Sequence, residues 1–182
     1  MLSNLRPAIT LLLAFTLLTG IAYPLAMTGA AQALFPKEAN GSLIEEDGKV
    51  IGSALIGQAF ETDRYFHGRP SAVGYDASTS SGSNYGPSSA KLLDDIKTRA
   101  AAYGGGKLPA DLVTASGSGL DPDLSPEAAL VQVPRIAAAR GLTEDQVGAL
   151  VAEHVQAPDL GILGAQRVNV LTLNRALDTL KP

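Results

Sequence analysis

The hydrophobic residues of the chain are concentrated near its N-terminus. The stretch Ile9–Phe35 reads ITLLLAFTLLTGIAYPLAMTGAAQALF, and no charged residue lies between Arg6 and Lys37. Roughly 20 apolar residues suffice to cross a bilayer as an α-helix. The pattern therefore predicts a single membrane-spanning helix within residues 1–36, followed by a polar domain over residues 37–182.

The predicted span contains residues typical of a membrane helix that packs against other helices. Thr19 and Gly20 are small and allow a neighbouring helix to approach closely. Tyr23 is an aromatic residue of the kind found at membrane interfaces, and Pro24 predicts a kink in the second half of the helix. These four residues are candidate packing positions within the membrane.

A cleavable signal peptide is the alternative to a retained anchor. Arg6 can serve as the charged start, Ile9–Ile21 as the apolar centre and Ala31-Gln32-Ala33 as the cleavage pattern. The uncharged stretch continues well beyond a normal signal sequence, which favours a retained anchor. Both alternatives export the polar domain, and the position of Arg6 before the span favours a cytoplasmic N-terminus.

The polar domain is predicted to contain a hairpin, a long loop and several helices. Apolar stretches within Gly41–Phe60 flank Asp47-Gly48, a dipeptide suited to a tight hairpin turn. The Ser- and Gly-rich segment His67–Ser89 predicts a long surface loop. The predicted class is α+β, with a single N-terminal transmembrane helix and one exported α/β-type domain. Caps, prolines and apolar periodicity predict helices from Ser88 or Ser89 to about Tyr103, from Ser125 to Gly141 with a bend at Pro134, from Thr143 to about Gln156, and over Val170–Leu180.

Charge and composition exclude several classes of protein. The chain has 18 acidic and 14 basic side chains and a net charge of −4, which argues against general binding to nucleic acid. It has no cysteine, which excludes disulfides, thiolate metal sites and a cysteine nucleophile. The mean hydropathy of +0.14 is high for a chain with 19 Gly and 11 Pro, because the predicted span raises it.

No constellation in the sequence predicts a catalytic residue or a metal site. Ser116-Gly117-Ser118-Gly119 resembles a phosphate-binding loop but lacks the lysine that should follow. His67 and His154 lie outside any serine-hydrolase motif, and one histidine alone cannot form a metal site. Asp121-Pro122-Asp123 brings two carboxylates together, and a turn or capping role is favoured there over cation binding.

Two further polar residues each have two interpretations. Arg69, which precedes Pro70, pairs either with an acidic group of a partner or with a group that holds its own loop. Gln132 follows the apolar stretch 128–131 within a predicted helix. A polar group there lies on a solvated face or makes a hydrogen-bonding contact, and the sequence favours the solvated face.

Many short stretches, spread over almost the whole chain, resemble the C-subunit family (KdpC) of the bacterial Kdp potassium-transporting ATPases. No single stretch decides the resemblance, but their order and spread are specific. The Ser/Gly-rich loop and Gly104–Gly106 vary in such proteins. The matching stretches are Arg6-Pro7-Ala8, Thr19-Gly20, Tyr23-Pro24-Leu25, Phe35-Pro36, Ala39–Leu43, Gly52-Ser53, Leu55–Gln58, Tyr65–Ala72, Ser81–Asn84, Asp111–Pro122, Ser125-Pro126, Ala128-Ala129, Gln132, Pro134-Arg135, Ala139-Arg140, Val168-Asn169 and Leu173-Asn174.

The resemblance implies a non-catalytic subunit of a complex that couples ATP hydrolysis to potassium uptake. The implied partners are a potassium-translocating A subunit, a P-type ATPase B subunit, a small F subunit and membrane lipid, with no nucleic acid. The implied location is the bacterial inner membrane, with a cytoplasmic N-terminus and an exported domain. The candidate partner contacts are His67, Arg69, Ser71, Asn84, Ser116, Ser118 and Asp121.

Members of this family are also described as catalytic chaperones that bind ATP and raise the nucleotide affinity of the ATPase subunit. The resemblance associates Gln132 with that proposal. A span with its N-terminus inside places Gln132 outside the membrane, whereas ATP and the ATPase domains lie in the cytoplasm. The favoured expectation is therefore a role in assembly and gating at the outer mouth of the potassium-translocating subunit.

Overall fold

A computed structural model of the chain describes residues 2–180. The chain divides into two compact units, with the boundary between Ile51 and Gly52. Its helices and strands place it in the α+β class, as predicted. A single apolar helix comes first, a β-hairpin follows, and the remaining helices lie in the second unit.

The first unit begins with the predicted apolar helix. It runs over Leu5–Leu34 without a buried residue, and it is the one candidate membrane span within residues 2–180. Helix α1 (Leu5–Leu17) and helix α2 (Tyr23–Leu34) are joined by a π-helical turn, Leu18–Ala22. Pro24 lacks the N–H that a regular helix needs. The π turn lies directly before α2 and Pro24 falls in the first turn of that helix, while the kink expected at Pro24 stays a prediction.

The predicted hairpin follows the apolar helix along the chain. After the short helix α3 (Pro36–Ala39), strands β1 (Leu43–Glu46) and β2 (Lys49–Ser53) pair with each other. Asp47 and Gly48 between them have φ angles of +50° and +74°. Two successive residues in the left-handed region make the type of turn that matches the twist of paired strands.

The second unit contains six helices and one small sheet within the described part of the chain. The predicted caps are present: Ser89 accepts from the N–H of Leu92, and Thr143 and Gln146 form a reciprocal capping box. The elements are α4 (Ala90–Ala101), α5 (Ala110–Val113), β3 (Asp123–Leu124), α6 (Pro126–Leu130), α7 (Val133–Arg140), α8 (Glu144–Glu153), β4 (Val168–Asn169) and α9 (Val170–Thr179).

The single bent helix predicted from Ser125 to Gly141 is in fact two helices. Helix α6 ends at Leu130 and α7 begins at Val133. Pro134 falls in the first turn of α7, where a helix does not need the backbone N–H that proline lacks. Gln132 lies in the connection between the two helices.

The hydrophobic core of the second unit is built mainly by α5 to α9. Strands β3 and β4 pair antiparallel, with Leu124 opposite Val168, and both side chains belong to the core. Phe66 is the one aromatic side chain of this core, and it comes from a segment without helix or strand. The other buried members are Leu112, Val113, Leu124, Ala128, Ala129, Val133, Ile136, Ala137, Val147, Leu150, Val151, Val168, Val170, Leu173 and Leu177.

Candidate functional site

Residues 54–89 form a long segment without helix or strand, and a buried asparagine fixes its middle. The backbone N–H of Phe66 donates to Oδ1 of Asn174 at 2.8 Å, and Nδ2 of Asn174 donates to the Phe66 carbonyl at 3.0 Å. Asn174 lies on α9 and is 1% exposed. Its amide therefore satisfies both backbone groups of Phe66 and allows the phenyl ring to enter the core.

A glutamine holds the next residue in the same way. The N–H of His67 donates to Oε1 of Gln132 at 2.8 Å, and Nε2 of Gln132 donates to the His67 carbonyl at 3.0 Å. Nε2 also donates to the Ala128 carbonyl at 3.3 Å, and Oε1 accepts from Arg135 at 2.8 Å. Gln132 is 1% exposed. The solvated face favoured from the sequence is therefore wrong, because the segment 54–89 covers this position.

Two arginines of α7 bind the backbone just before Phe66. Arg135 donates to the carbonyls of Asp63 at 2.7 Å and Tyr65 at 3.0 Å. Arg140 donates to the Arg64 carbonyl at 2.7 Å and forms an ion pair with Asp178 at 2.7 Å. The carbonyls of 63–67 are thus all bound by side chains of α7, α9 and the α6–α7 connection, which fixes this part of the segment on the helices.

An open cleft of about 430 Å³ lies beside this part of the segment. It is lined by residues 59–61, 67–71, 74 and 75. Arg69 forms an ion pair with Asp121 at 3.0 Å, and its backbone carbonyl accepts from the Tyr75 hydroxyl at 2.6 Å. Nε of Arg69 is buried without a hydrogen-bond partner. The structure therefore supports the second interpretation of Arg69, because its ion pair with Asp121 holds its own loop.

The 116–119 loop closes against the same segment. Ser71 donates to the Gly119 carbonyl at 2.7 Å, and Ser80 donates to the Ser118 carbonyl at 3.1 Å. Ser116 accepts from the N–H of Gly119, and Ser118 accepts from the N–H of Leu120. The hydroxyls of Ser116 and Ser118 therefore form hydrogen bonds within their own turn, and Ser116 is buried.

Asp121 has the turn role that the sequence favoured. Its Oδ1 accepts from the N–H of Asp123 at 3.1 Å, while Oδ2 binds Arg69. Residues 2–180 contain no group of three or more His, Cys, Asp or Glu side chains placed to hold a metal ion. The carboxylates of Asp121 and Asp123 are instead directed to hydrogen bonds and ion pairs within the domain.

The structure brings six of the seven candidate partner contacts to one region. His67, Arg69 and Ser71 lie on the cleft, and the 116–121 stretch lies against it through Ser71 and Arg69. Asn84 lies farther along the segment, exposed and with a φ of +54°. Sequence analysis missed Asn174, although an amide inside the apolar stripe Val170–Leu177 is a signal for a buried hydrogen-bonding role.

Burial and charge control protonation in the cleft. Burial lowers the pKa of His67 below its ordinary value of 6.5, and the Arg135 charge lowers it further. Burial raises the pKa of Tyr75 to about 12, with Asp121 adding to the effect. His67 is therefore neutral and Tyr75 protonated at neutral pH, so both side chains act as uncharged hydrogen-bonding groups.

The candidate membrane positions lie together on the apolar helix. Thr19 donates its hydroxyl to the Phe15 carbonyl at 2.7 Å, so its polar group is satisfied within the helix. A Cβ added at Gly20 would meet nothing within 4 Å. Tyr23 is 62% exposed, and Pro24 lies in the first turn of α2. The four residues leave this part of the helix open to lipid or to another helix.

Comparison with known proteins identifies the family. The profile of KdpC, described as K+-transporting ATPase, c chain, matches residues 5–179. The chain belongs to the KdpC family. A Potassium-transporting ATPase KdpC subunit from Caulobacter vibrioides (strain NA1000 / CB15N) is 60% identical over 189 residues, covering 100% of this chain and 96% of the relative. Another from Rhodopseudomonas palustris (strain BisB18) is 56% identical over 199 residues, covering all of both chains. This KdpC chain is therefore a subunit of a potassium-transporting ATPase.

Replacement of Gln132 by leucine should destabilise the polar domain of this KdpC chain. The change leaves the N–H and carbonyl of His67 without their partners, and an unsatisfied buried polar group costs about 1–3 kcal/mol. We expect the free energy of unfolding to fall by about 3 kcal/mol in denaturant titrations of the full chain. The matched control is Gln166→Leu at an exposed position, which should change it by less than about 0.5 kcal/mol. A loss below about 1 kcal/mol for Gln132→Leu would contradict the role of its amide.

His67 should make the stability of the domain depend on pH. Its pKa is lower in the folded protein than the unfolded value near 6.5, so the unfolded chain binds the proton more readily. The stabilising contribution is fully present above pH 6.5 and is lost as the pH falls through the folded pKa. We expect His67→Gln to flatten the decline of unfolding free energy below pH 6.5, and His154→Gln to retain it. Parallel pH profiles for wild type and His67→Gln would show the assignment to be wrong.

Proposed function

We propose that the chain is a non-catalytic accessory subunit that assembles and stabilises the potassium-uptake complex and couples its ATPase subunit to its potassium-translocating subunit. The single observation that carries the proposal is the match to the KdpC family over residues 5–179. The proposed partners are the A, B and F subunits of the complex and membrane lipid. Potassium is the transported ion, so it is the cargo of the complex.

The apolar helix supports a role inside a membrane assembly. It is 30 residues long and none of it is buried within the chain. An apolar surface of this extent requires lipid or other helices around it. A Cβ added at Gly20 would meet nothing within 4 Å, and small residues at such positions allow the close helix packing that joins subunits in a bilayer.

The polar domain supports a structural role more than a chemical one. Polar side chains at and behind its cleft are used within the domain: Gln132 binds the backbone of His67, and Arg69 binds the side chain of Asp121. Nε2 of His67 bonds to the Thr62 carbonyl, and Nδ1 of His154 bonds to the Leu150 carbonyl. These bonds fix the shape of a surface, which suits a domain that contacts other subunits.

Charge supports export of the domain. Arg6, near the N-terminal end of the apolar helix, is the one charged side chain before Lys37, and residues 37–182 carry all 18 acidic side chains and the other basic ones. Basic residues next to a span favour the cytoplasmic side. An acidic domain at the outer mouth of the potassium-translocating subunit would also concentrate cations weakly.

The alternative function is that of a catalytic chaperone that binds ATP. Gln132 is the residue associated with it, yet its amide makes four hydrogen bonds within the domain and is 1% exposed. A nucleotide contact would have to displace the bonds to His67. This cost, together with the proposed outside location, favours the accessory role.

Removal of the polar domain should abolish the function of the complex. A complex carrying only residues 1–36 of this chain retains the apolar helix but loses the surface proposed to contact the other subunits. We expect loss of assembly, measured by co-purification, or loss of high-affinity potassium uptake. The matched control carries an unrelated folded domain after residue 36 and should fail equally. Normal uptake by the 1–36 complex would overturn the proposal.

The location of the domain separates the accessory role from direct ATP binding. The chain has no cysteine, so Lys97→Cys provides one label site, at a side chain 78% exposed. We expect a membrane-impermeant maleimide to label Lys97→Cys in intact spheroplasts, and to label the control Ser3→Cys only after permeabilisation. The reverse pattern would contradict the proposed topology. If the reverse pattern is found, and a photoreactive ATP analogue labels the full chain in a way that added ATP prevents, the chaperone alternative would be established.

A further inference from the structure

The middle of the apolar helix contains a backbone carbonyl whose regular hydrogen-bond donor is used elsewhere. Thr19 lies at the centre of Leu5–Leu34. In a regular α-helix its carbonyl would accept from the N–H of Tyr23, four residues later. That N–H donates to the Leu18 carbonyl instead, because this part of the chain forms the π turn. The α-helical pattern therefore gives the Thr19 carbonyl no partner.

Proline removes the other backbone donor. In a π turn a carbonyl accepts from the residue five positions later, which for Thr19 is Pro24. Proline has no N–H to donate. The Thr19 hydroxyl is engaged as well, since its one hydrogen is donated to the Phe15 carbonyl at 2.7 Å. Within residues 2–180, neither helical pattern supplies a donor to the Thr19 carbonyl.

This carbonyl lies on a part of the helix that a neighbour can approach closely. Thr19 and Gly20 are exposed, and a Cβ added at Gly20 would meet nothing within 4 Å. Because glycine has no side chain, another helix can come near the backbone at this level. An acceptor without a donor thus coincides with the space that a donor would need.

The position of the carbonyl in the bilayer determines what can bind it. The hydrocarbon interior contains no water, and lipid tails have no donor, so a backbone group left without a partner there is costly. A charged donor would leave its own charge uncompensated, because no charged residue lies between Arg6 and Lys37. The chemistry that fits is a neutral hydroxyl or side-chain amide on another membrane helix.

Polar side chains at the middle of a membrane are characteristic of the subunit that carries the ion. They are rare in other spans and concentrate along ion pathways, whose binding sites lie near the midplane. Among the proposed partners, the potassium-translocating subunit is the one that needs such side chains for its own function. It is also the subunit at whose outer mouth the polar domain is proposed to lie.

We propose that the Thr19 carbonyl accepts a hydrogen bond from a hydroxyl or amide side chain on a membrane helix of the potassium-translocating subunit. The proposal rests on the accessory function proposed above, because it names the contact by which the apolar helix is held in the complex. Gly20 provides the close approach, and Pro24 keeps the acceptor free for the partner.

Site-specific photocrosslinking in membranes that contain the whole complex tests the partner. p-Benzoylphenylalanine replaces Thr16, which lies on α1 one turn before Thr19 and on the same face. We expect an adduct with the potassium-translocating subunit. The matched control carries the same replacement at Ala14, at a similar depth on the opposite face, and should not give this adduct. An adduct with the ATPase subunit, the small subunit, a second copy of this chain or lipid only would overturn the proposal, as would no adduct or an equal yield from Ala14.

The variant Pro24→Ala tests the hydrogen bond itself. It restores the missing N–H, so the helix can bond the Thr19 carbonyl without a partner. We expect the amount of the potassium-translocating subunit that co-purifies with the full-length chain to fall about threefold, the effect typical of one hydrogen bond between membrane helices. The matched control is Pro7→Ala in the first turn of α1, where a helix needs no N–H, and recovery should not change. Unchanged or increased recovery with Pro24→Ala, or an equal loss with Pro7→Ala, would overturn the proposal.

The failure of this proposal and that of the accessory function give different results. If the 1–36 complex fails while Thr16 gives no adduct with the potassium-translocating subunit, the helix contact is excluded and the accessory function stands. If the 1–36 complex takes up potassium normally while the adduct forms, the contact stands and the function proposed for the polar domain fails.

Discussion

The side-chain amides of Asn174 and Gln132 bind the main chain of two consecutive residues, Phe66 and His67, each with one donated and one accepted hydrogen bond. An amide side chain can therefore stand in for a neighbouring β-strand where no strand is present. Because each buried backbone group must find a partner, these bonds are what allow Phe66 to occupy the core. His67 itself lines the cleft, so the position of this side of the cleft depends on the same two amides.

The parts of the fold that depend on neighbouring residues could be predicted from the sequence. Asp47-Gly48 marks the hairpin because both residues tolerate positive φ, and Thr143 with Gln146 marks a helix start because the capping box closes within four residues. The apolar helix was predictable from composition alone, since its length exceeds what a bilayer requires. In each case the interaction that decides the structure lies inside the segment itself.

The candidate site could not be predicted in the same way because its contacts join distant residues. Gln132 bonds to a residue 65 positions away, and Asn174 to one 108 positions away. Periodicity assigns a helical position to a face, but it does not indicate whether an irregular segment will cover that face. Gln132 therefore seemed solvated. Asn174 carried a clearer signal, because it interrupts an apolar stripe, where an unpaired amide would be costly.

Backbone polar groups of the second unit have partners within the domain, whereas the apolar side chains of the long helix in the first unit do not. In the polar domain the carbonyls of residues 63–67 are all bound by Arg135, Arg140 and the two amide side chains, so these backbone groups are not left for a ligand. The helix Leu5–Leu34, by contrast, presents an apolar surface without a buried residue. Contacts made through such surfaces are driven by burial from water or by packing in lipid, and not by new ion pairs. An organisation of this kind fits the accessory role proposed for this subunit, in which the chain is held in place within the potassium-transporting ATPase by apolar contacts.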